Sequence, residues 1–356
     1  MKNQYCELSE LGWNDWIEQR ASRQPLETVA RVAAVDRDQL LLVDQSGHFR
    51  AKLAGRYLHH HHLSQELPCV GDWVCVEKPP QSDLGVIHAL LERRTFLRRK
   101  SAGNATEYQM IAANLDYVLI VQSCHFDFNP KRLERYLVMV MEGGAEPYIL
   151  LTKTDLVNPA VLATQLDEIQ SLGITAPIIP LSNLTGDGLE DVKRLPQPGK
   201  TYCFVGSSGV GKSTLINRLV GRARMETGQI SGTGEGRHTT VRRELLRLDG
   251  GALVIDNPGM REFGILGAES GIASSYADIT ALSSLCRYQD CSHTSEPGCA
   301  VRAAVDADEI TQEALDGFLK LKEESAFNDM SYVEKRKRDR DFGRFIKSAK
   351  KDLRNR

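Results

Sequence analysis

The stretch "GSSGVGKS", residues 206–213, has the spacing of a loop that binds phosphate groups. Its glycines let the backbone curl so that several N–H groups point at one anion, and the following helix adds the positive end of its dipole. Lys212 is placed to reach the β- and γ-phosphates, and the Ser213 hydroxyl is placed to bind Mg²⁺. The spacing predicts a nucleotide-phosphate site made by Gly206, Ser207, Ser208, Gly209, Val210, Gly211, Lys212, Ser213 and Thr214.

A second stretch, "VIDNPG" at residues 254–259, supplies a partner for this loop. Asp256 ends an apolar run that is typical of a buried strand, which is where an aspartate that orients Mg²⁺ is expected. Gly259 follows in a tight turn, and its N–H is a candidate contact for the γ-phosphate.

Two further stretches could bind the base of the nucleotide and distinguish guanine from adenine. In "LTKTDL", residues 151–156, the Asp155 carboxylate can accept hydrogen bonds from both N1–H and the 2-amino group of guanine, which adenine does not offer there. The Lys153 stem can cover the ring, with Thr152 beside it. In "PLSN", residues 180–183, Ser182 and Asn183 follow a strand and can offer a backbone N–H to the guanine carbonyl. The sequence therefore favours GTP over ATP.

The cysteines near the C-terminus form a separate cluster. Cys286, Cys291, His293 and Cys299 have the spacing C-x4-C-x-H-x5-C. Three thiolates and one imidazole make a closed tetrahedral Zn²⁺ site without an open position for water, so one structural zinc per chain is predicted. A set of buried cysteines without metal is the alternative.

The elements that must position these residues can be read from the hydrophobic pattern. Apolar strands alternate with helices from residue 114 onward, which predicts a parallel α/β sheet with its ligands at the carboxyl ends of the strands. Short β-rich segments between residues 28 and 99 predict a five-stranded OB-like barrel, or another small β domain. The basic stretch at residues 93–106 is interpreted as a linker and residues 306–325 as a helix. The four histidines at 59–62 are interpreted as a solvated loop, with a metal site as the alternative.

Composition and charge are those of a soluble globular protein with one unusual end. Hydrophobic residues make up 41% of the 356 residues, charged residues 26%, and the net charge is −2. Residues 335–356 contain eleven Lys or Arg and three Asp, a local charge of +8, so the remainder carries about −10. This basic tail suggests a polyanionic partner such as RNA, with a solvated helix end as the alternative. No apolar run or N-terminal leader indicates a membrane, so a cytoplasmic protein with reduced cysteines is expected.

These motifs together resemble the RsgA (YjeQ) family of circularly permuted GTPases that act on the small ribosomal subunit. The resemblance rests on "TKTD", "GSSGVGKS", "GRHTT" and "DNPG" in permuted order, followed by "CRYQDCSHTSEPGCAV", and covers roughly residues 28–320. It implies a multidomain fold with an N-terminal extension at 1–27, an OB-like β-barrel at 28–100, a circularly permuted P-loop GTPase domain at 107–270 and a zinc-binding helical domain with a basic tail at 271–356. It implies a monomer whose partners are GTP, GDP and the small subunit with its rRNA. GTPases usually carry Asn where Thr152 stands, and this departure concerns the selectivity for guanine.

Hydrolysis poses a separate question. The position after the glycine of D-x-x-G, where a water-orienting glutamine is expected, is Met260. Slow intrinsic turnover is therefore expected. The stretch "GRHTTVRREL", residues 236–245, lies where a switch loop belongs, so that Thr239 or Thr240 is a candidate Mg²⁺ ligand. The resemblance implies that His238 orients the attacking water; a solvated loop histidine is the alternative.

The leading interpretation is a GTPase that binds the small ribosomal subunit during late maturation and hydrolyses GTP faster when bound to it. The alternative from another class is a nucleotide-controlled RNA-binding module whose hydrolysis is incidental. A P-loop ATPase unrelated to ribosomes is the third, and "TKTD" and "PLSN" argue against it.

Overall fold

The computed structural model of the protein describes residues 7–22, 28–79, 84–100, 107–220, 243–257, 267–330 and 334. It begins with a 3-10 turn at Leu8–Leu11 and helix α1 at Asp15–Ala21. The Asn14 side chain caps α1 by accepting a hydrogen bond from the Ile17 N–H at 3.2 Å. Leu11 and Ile17 are buried, so this N-terminal segment packs on the body of the protein.

A closed barrel follows. Its strands are β1 (Val29–Val35), β2 (Leu40–Asp44), β3 (Gly47–Leu53), β4 (Trp73–Glu77) and β5 (Leu84–Leu90), with helix α2 (Gly55–His60) after β3. They run in the order β1–β2–β3–β5–β4, and β4 pairs back with β1. Val32, Leu42 and Ile87 fill the interior. The predicted five-stranded OB-like barrel is confirmed, whereas His59 and His60 lie exposed at the end of α2 rather than in a loop.

Part of the stretch interpreted as a linker, Phe96–Lys100, is one strand of a β-hairpin. Strands β6 (Phe96–Lys100) and β7 (Tyr108–Ala113) pair antiparallel, with Phe96 opposite Ala113 and Lys100 opposite Tyr108. Leu97 is fully buried, and this burial fixes the strand despite the arginines beside it. The linker prediction is therefore wrong for Phe96–Lys100.

The α/β unit contains six strands and four helices in the described residues. The strands are β8 (Tyr117–Ser123), β9 (Glu146–Thr152), β10 (Ile178–Pro180), β11 (Thr201–Val205), β12 (Glu244–Arg247) and β13 (Leu253–Asp256). The helices are α3 (Pro130–Glu142), α4 (Pro159–Ser171), α5 (Leu189–Arg194) and α6 (Lys212–Val220). Asn129 caps α3 through the Arg132 N–H at 3.0 Å, with Pro130 in the first turn, as the sequence predicts.

The sheet order is β10–β9–β8–β11–β13–β12, and all neighbours except the antiparallel β12–β13 pair are parallel. The carboxyl ends of five strands therefore lie along one edge. Strand β12 includes Glu244 and Leu245, which were expected to belong to the switch loop. It also pairs with β1 at Ala34 and Glu244, so one sheet of eleven strands runs through both the barrel and the α/β unit.

Four helices cover the C-terminal part of the described chain: α7 (Glu269–Ser275), α8 (Ala277–Ser283), α9 (Ala300–Asp306) and α10 (Gln312–Asp329). The helix predicted from residue 306 begins at Gln312, because Asp308 has a φ of 58° and the Thr311 hydroxyl caps the Ala314 N–H. None of the helices within the described ranges has the length and apolar character needed to span a bilayer.

Candidate functional site

The phosphate loop joins β11 to α6, and its backbone depends on glycine. Gly206, Gly209 and Gly211 have φ angles of 140°, 78° and 100°. These are left-handed values that residues with a Cβ rarely adopt. Gly206 also lies so close to β8 that an added Cβ would be 2.1 Å from the Val121 carbonyl oxygen. The loop is therefore tightly curled and held against the neighbouring strand.

Lys212, the first residue of α6, folds back over this loop. Its Nζ donates hydrogen bonds to the carbonyl oxygens of Gly206 at 2.7 Å and Ser207 at 2.5 Å. Burial lowers the pKa of Lys212 to about 8, while the carboxylates of Asp256 and Asp127 act in the opposite direction. Both hydrogen-bond partners are backbone oxygens, so Nζ can exchange them for phosphate oxygens without breaking a close ion pair.

Asp256 ends β13 beside the phosphate loop. Burial raises the pKa of its carboxyl group, whereas Lys212 and the backbone N–H of Asn257 lower it. Oδ2 of Asp256 and Oγ of Ser208 are buried and have no hydrogen-bond partner among the residues that the structure describes. Buried polar atoms are normally paired. The two atoms therefore mark positions that a bound ion or phosphate can satisfy. Ser213 and Thr214 lie in the first turn of α6, which follows the loop.

The two loops predicted to read the base meet at Asp155. Its Oδ1 accepts a hydrogen bond from the Ser182 hydroxyl at 2.5 Å. Lys153 has a φ of 61°, which turns the chain sharply after β9. Burial lowers the pKa of Lys153, and the carboxylates of Asp127 and Asp155 act against this. A carboxylate and a partly buried lysine thus lie together at the end of β9.

Hydrogen bonds also tie these base loops to the phosphate loop. Thr152 is fully buried, and its hydroxyl lies 2.6 Å from the Val210 carbonyl oxygen and 3.3 Å from that of Gln122. Asn183 donates from Nδ2 to the carbonyl oxygen of Gly211 at 3.2 Å. Two consecutive carbonyls of the phosphate loop are therefore held by the two base loops. Thr152 directs its single donor to the backbone, which is a different contact from the one an Asn amide would make with a base.

Part of the predicted site lies outside the described residues. This applies to His238, Thr239 and Thr240 of the predicted switch loop, and to Gly259 and Met260 after Asp256. Asn257, the last described residue before Gly259, is fully buried and accepts a hydrogen bond from Arg243 Nε at 2.8 Å. Arg243, the first described residue of the predicted switch loop, is thus hydrogen-bonded to Asn257, the last described residue before Gly259.

The cysteine cluster has the geometry of a metal centre. The four ligand atoms of Cys286, Cys291, His293 and Cys299 lie within 4.8 Å of one another. His293 Nδ1 is 3.6 Å from Cys286 Sγ and 3.5 Å from Cys299 Sγ, and these two sulfurs are 3.9 Å apart. Ligand atoms around a tetrahedral zinc ion are roughly 3.4–3.8 Å apart. The other ring nitrogen of His293 lies 3.1 Å from the Ser283 hydroxyl, which orients the imidazole. The donor set can hold a metal ion.

Comparison with known proteins agrees with this geometry. The profile of the RsgA GTPase family matches residues 90–266. A small ribosomal subunit biogenesis GTPase RsgA from Opitutus terrae is 41% identical over 334 residues, covering 90% of each chain. The chain belongs to the RsgA GTPase family. An RsgA 2 from Vibrio parahaemolyticus is 36% identical and covers 98% of this chain and 94% of its own.

Solved structures share the fold. YjeQ from Thermotoga maritima is 24% identical, with a TM-score of 0.62 over 82% of this chain and 96% of that one. YloQ, described as a circularly permuted GTPase, has a TM-score of 0.58 over 85% of this chain and 96% of its own, again at 24% identity. The permuted order of base loops and phosphate loop is thus a property of the fold.

One residue of this candidate site was missed from the sequence. Asp127 lies in the loop after β8, where burial raises its pKa and Arg132, Ser207 and Lys212 lower it. Its ion pair with Arg132 is 2.8 Å long. The sequence signal that could have identified Asp127 is its place after β8. Strand β8 lies beside β11, and the loops after adjacent parallel strands are neighbours.

Proposed function

We propose that this protein is a GTPase that binds the small ribosomal subunit, assists its late maturation and hydrolyses GTP to GDP and phosphate faster on that subunit. The observation that carries the nucleotide part is the meeting of the loops after β9, β10, β11 and β13 at one sheet edge, where polar atoms of Asp256 and Ser208 have no partner among the described residues. The ribosomal part is supported by relatives that are named small ribosomal subunit biogenesis GTPases.

Guanine recognition is assigned to Asp155. Its Oδ1 is shared with Ser182, and its carboxylate can accept from the two adjacent donors of guanine. The Lys153 stem would cover the ring and a backbone N–H near Ser182 or Asn183 would meet its carbonyl. Thr152 contributes by holding the phosphate loop through Val210.

Phosphate and water chemistry is assigned to the loop at residues 206–214 and to the switch residues. Lys212 would contact the β- and γ-phosphates, and the Gly259 N–H would contact the γ-phosphate. Ser213, Asp256 and either Thr239 or Thr240 would hold Mg²⁺, which neutralises charge that develops on the phosphates. His238 would orient the attacking water, since Met260 cannot donate a hydrogen bond to it.

The remaining modules are assigned to RNA and to the metal. Cys286, Cys291, His293 and Cys299 would hold one structural Zn²⁺. We divide the chain into an extension at 1–27, a barrel at 28–100, the GTPase domain at 107–270 and a zinc domain at 271–356. The barrel, the zinc domain and the basic residues after 335 would contact rRNA, in a monomer that works in the cytoplasm.

The decisive test is GTP turnover with and without purified small subunits, with ATP as competitor. We expect stimulation by the subunit and little competition from ATP. The variant His238→Ala is expected to keep its affinity for GTP and lose the stimulated turnover. Unchanged stimulated turnover in that variant would refute the role of His238.

The second candidate is a nucleotide-controlled RNA-binding module, and Met260 is the residue that favours it. It predicts small-subunit binding that differs between GTP and GDP without stimulated turnover. The same experiment therefore separates the two functions.

A further inference from the structure

The loops after β8 and β9 begin side by side. The two strands pair in parallel, with Ser123 opposite Thr152 at their carboxyl ends. One more bond continues the pairing, because the Cys124 N–H donates to the Thr152 carbonyl oxygen at 2.9 Å. Loops that follow adjacent parallel strands are neighbours. The loop that contains Asp127 therefore lies beside the loop that contains Lys153.

Asp127 is held in place from two sides. Its carbonyl oxygen accepts hydrogen bonds from Gln122 Nε2 at 2.8 Å and from the Arg132 guanidinium group. Its carboxylate oxygen Oδ1 forms the 2.8 Å ion pair with the same arginine. Gln122 belongs to β8 and Arg132 to the first turn of α3. The position of Asp127 is therefore fixed by the strand before it and by the helix after it.

The second carboxylate oxygen of Asp127 has a different environment. Oδ2 is buried, and it has no hydrogen-bond partner in the part of the chain that the structure describes. Buried polar atoms are normally paired, and a carboxylate forms its strongest hydrogen bonds with cationic donors. A positively charged side chain that reaches Oδ2 would therefore be stabilised there.

Two lysines interact electrostatically with Asp127, and they differ in their main carboxylate. Burial lowers the pKa of Lys153, and the carboxylate that opposes this most is Asp127, ahead of Asp155. Burial also lowers the pKa of Lys212, but there Asp256 acts more strongly than Asp127. Asp127 is therefore the main counter-charge of Lys153 and a secondary one for Lys212.

Asp155 is not available to Lys153 in the same way. It lies only two positions away in the chain, yet its Oδ1 accepts a hydrogen bond from the Ser182 hydroxyl at 2.5 Å. In the proposed function its carboxylate also accepts both donors of guanine. Oδ2 of Asp127 is therefore the acceptor that is left for the ammonium group of Lys153.

We propose that Asp127 is a positioning residue for guanine binding, because its Oδ2 pairs with the Lys153 ammonium group and holds the Lys153 stem over the base. The proposal rests on the proposed GTPase function, in which this stem covers the guanine ring. A lysine side chain has a flexible four-carbon stem and loses rotamer freedom when it is ordered. The backbone end of the stem is fixed by the turn at Lys153, where φ is 61°. Asp127 fixes the other end without contacting the nucleotide.

The variant Asp127→Asn tests this, because it keeps the shape of the side chain and removes its charge. The affinities for GTP and GDP should both fall roughly five- to tenfold, since both nucleotides carry the same base and pairs in contact couple to this extent. The double variant with Lys153→Gln should bind within about twofold of Lys153→Gln alone, because the lysine has then already been removed. Calorimetric titration measures all four proteins. An unchanged affinity in Asp127→Asn, or losses that add in the double variant, would overturn the proposal.

A second ligand separates the base from the phosphates. The carboxyl group of Asp127 also hydrogen-bonds to Ser207 of the phosphate loop, so the shape of that loop is a competing explanation for a loss of affinity. Inorganic tripolyphosphate carries phosphates and no base. Its competition with GDP should be within about twofold of the parent in Asp127→Asn, because Lys153 is not needed to bind it. Equal weakening of tripolyphosphate and GTP would assign Asp127 to the phosphate loop instead.

Two further variants control for the ion pair with α3. Glu324→Gln is the matched control, because Glu324 also lies 2.8 Å from an arginine of α3, Arg135, and lies outside the nucleotide loops. It should bind GTP as the parent does. Arg132→Gln removes the partner of Oδ1 and keeps the carboxylate, so it should lose less affinity than Asp127→Asn. Equal losses in Arg132→Gln and Asp127→Asn would show that the link to α3 matters and not the link to Lys153.

These measurements need nucleotide binding and no ribosome, so two failures remain distinct. A parent protein without subunit-stimulated turnover refutes the ribosomal part of the proposed function, and the role of Asp127 is still decided by binding. A Lys153→Gln variant with the affinity of the parent would refute both the assignment of Lys153 to the base and the role of Asp127.

Discussion

One hydroxyl group, that of Thr152, connects the predicted base loop to the predicted phosphate loop. It is buried and donates to the Val210 carbonyl, while Asn183 holds the next carbonyl, that of Gly211. Removing a buried donor leaves an unsatisfied acceptor, which costs about 1–3 kcal/mol. The shape of the phosphate loop therefore depends on a residue of the base loop.

Replacing Thr152 by Val should accordingly weaken the binding of both GTP and GDP, by roughly five- to thirtyfold, since about 1–2 kcal/mol is lost. Thr152→Ser keeps the hydroxyl and should stay close to the parent. Calorimetric titration with both nucleotides measures the effect. Equal affinities in the Val variant and the parent would show that the loop holds its shape without this bond.

Glu134 illustrates a buried charge that the reaction does not use. It lies on α3, 5% exposed, and accepts a hydrogen bond from the Tyr276 hydroxyl at 2.5 Å. Burial raises the pKa of Glu134 above its ordinary value of 4.5, although Tyr276 and the nearby Lys131, Arg135 and Lys320 lower it. A carboxyl group with a raised folded-state pKa stabilises the fold while it is protonated, and this contribution is lost as the pH rises through that pKa.

The variant Glu134→Gln keeps an acceptor for Tyr276 and cannot ionise. The free energy of unfolding of the parent should therefore fall relative to the variant as the pH rises from 4.5 towards neutrality. Urea unfolding at a series of pH values measures this difference. A constant difference across the series would mean that Glu134 has an ordinary pKa in the fold.

Among the elements, the loop between α8 and α9 shows how few residues can hold a segment. Residues 284–299 contain no helix or strand, and their buried groups are mainly Cys291, His293 and Cys299. Such a segment has little apolar surface of its own to bury, so a metal ion would supply its stability.

Elemental analysis should therefore find one zinc ion per chain, and Cys291→Ser should lose it. The variant should become sensitive to proteolysis between residues 284 and 300 and keep its affinity for GTP, because the nucleotide loops lie on other elements. Cys203→Ser is the control, as Cys203 is a buried strand residue outside the cluster. A parent protein that contains no zinc while this segment resists protease would contradict the assignment.

The elements also show what a sequence can predict. The nucleotide loops could be predicted because each carries its signal within a few residues, as glycines or polar side chains after an apolar strand. The β6–β7 hairpin could not, since Leu97 is followed by two arginines. Arg98 gains its packed position from Gly267, a partner 169 residues away. Asp127 is harder to find than the residues of the other loops, because its hydrogen-bond partner Ser207 comes from the loop after another strand and only the order of the strands reveals it.

For the whole molecule, the N-terminal segment at residues 8–21 joins the barrel to the α/β unit. Arg31 of β1 is fully buried, and burial lowers its pKa to about 10. It donates to the carbonyl oxygens of Leu11 at 2.5 Å, Gly71 at 3.1 Å and Asn114 at 3.0 Å. The ring centroids of Trp13 and Trp73 are 4.8 Å apart. A carboxylate oxygen of Glu10 lies 3.0 Å from a guanidinium nitrogen of Arg247. This segment therefore contacts both halves of the sheet.

Deleting residues 1–22 should consequently destabilise the whole chain, by about 3 kcal/mol or more, because a buried guanidinium loses a partner and apolar surface becomes exposed. Arg31→Met in the shortened chain should recover part of the loss, since it removes the buried charge. Chemical denaturation of the three proteins provides the comparison. A shortened chain with the parent's stability would show that the segment is dispensable.

The order of strands in the sheet has a consequence for the synthesis of the chain. Strands β8, β9 and β10 are translated before β11, yet β11 lies between β8 and β13. While residues 124–200 are being added, the edge of β8 that will receive β11 has no strand to pair with, and an open strand edge is a template for pairing with other chains. The edge of β8 stays open until β11, the strand before the phosphate loop, emerges, and the outer edge of β11 is in turn covered only when β13 brings in Asp256.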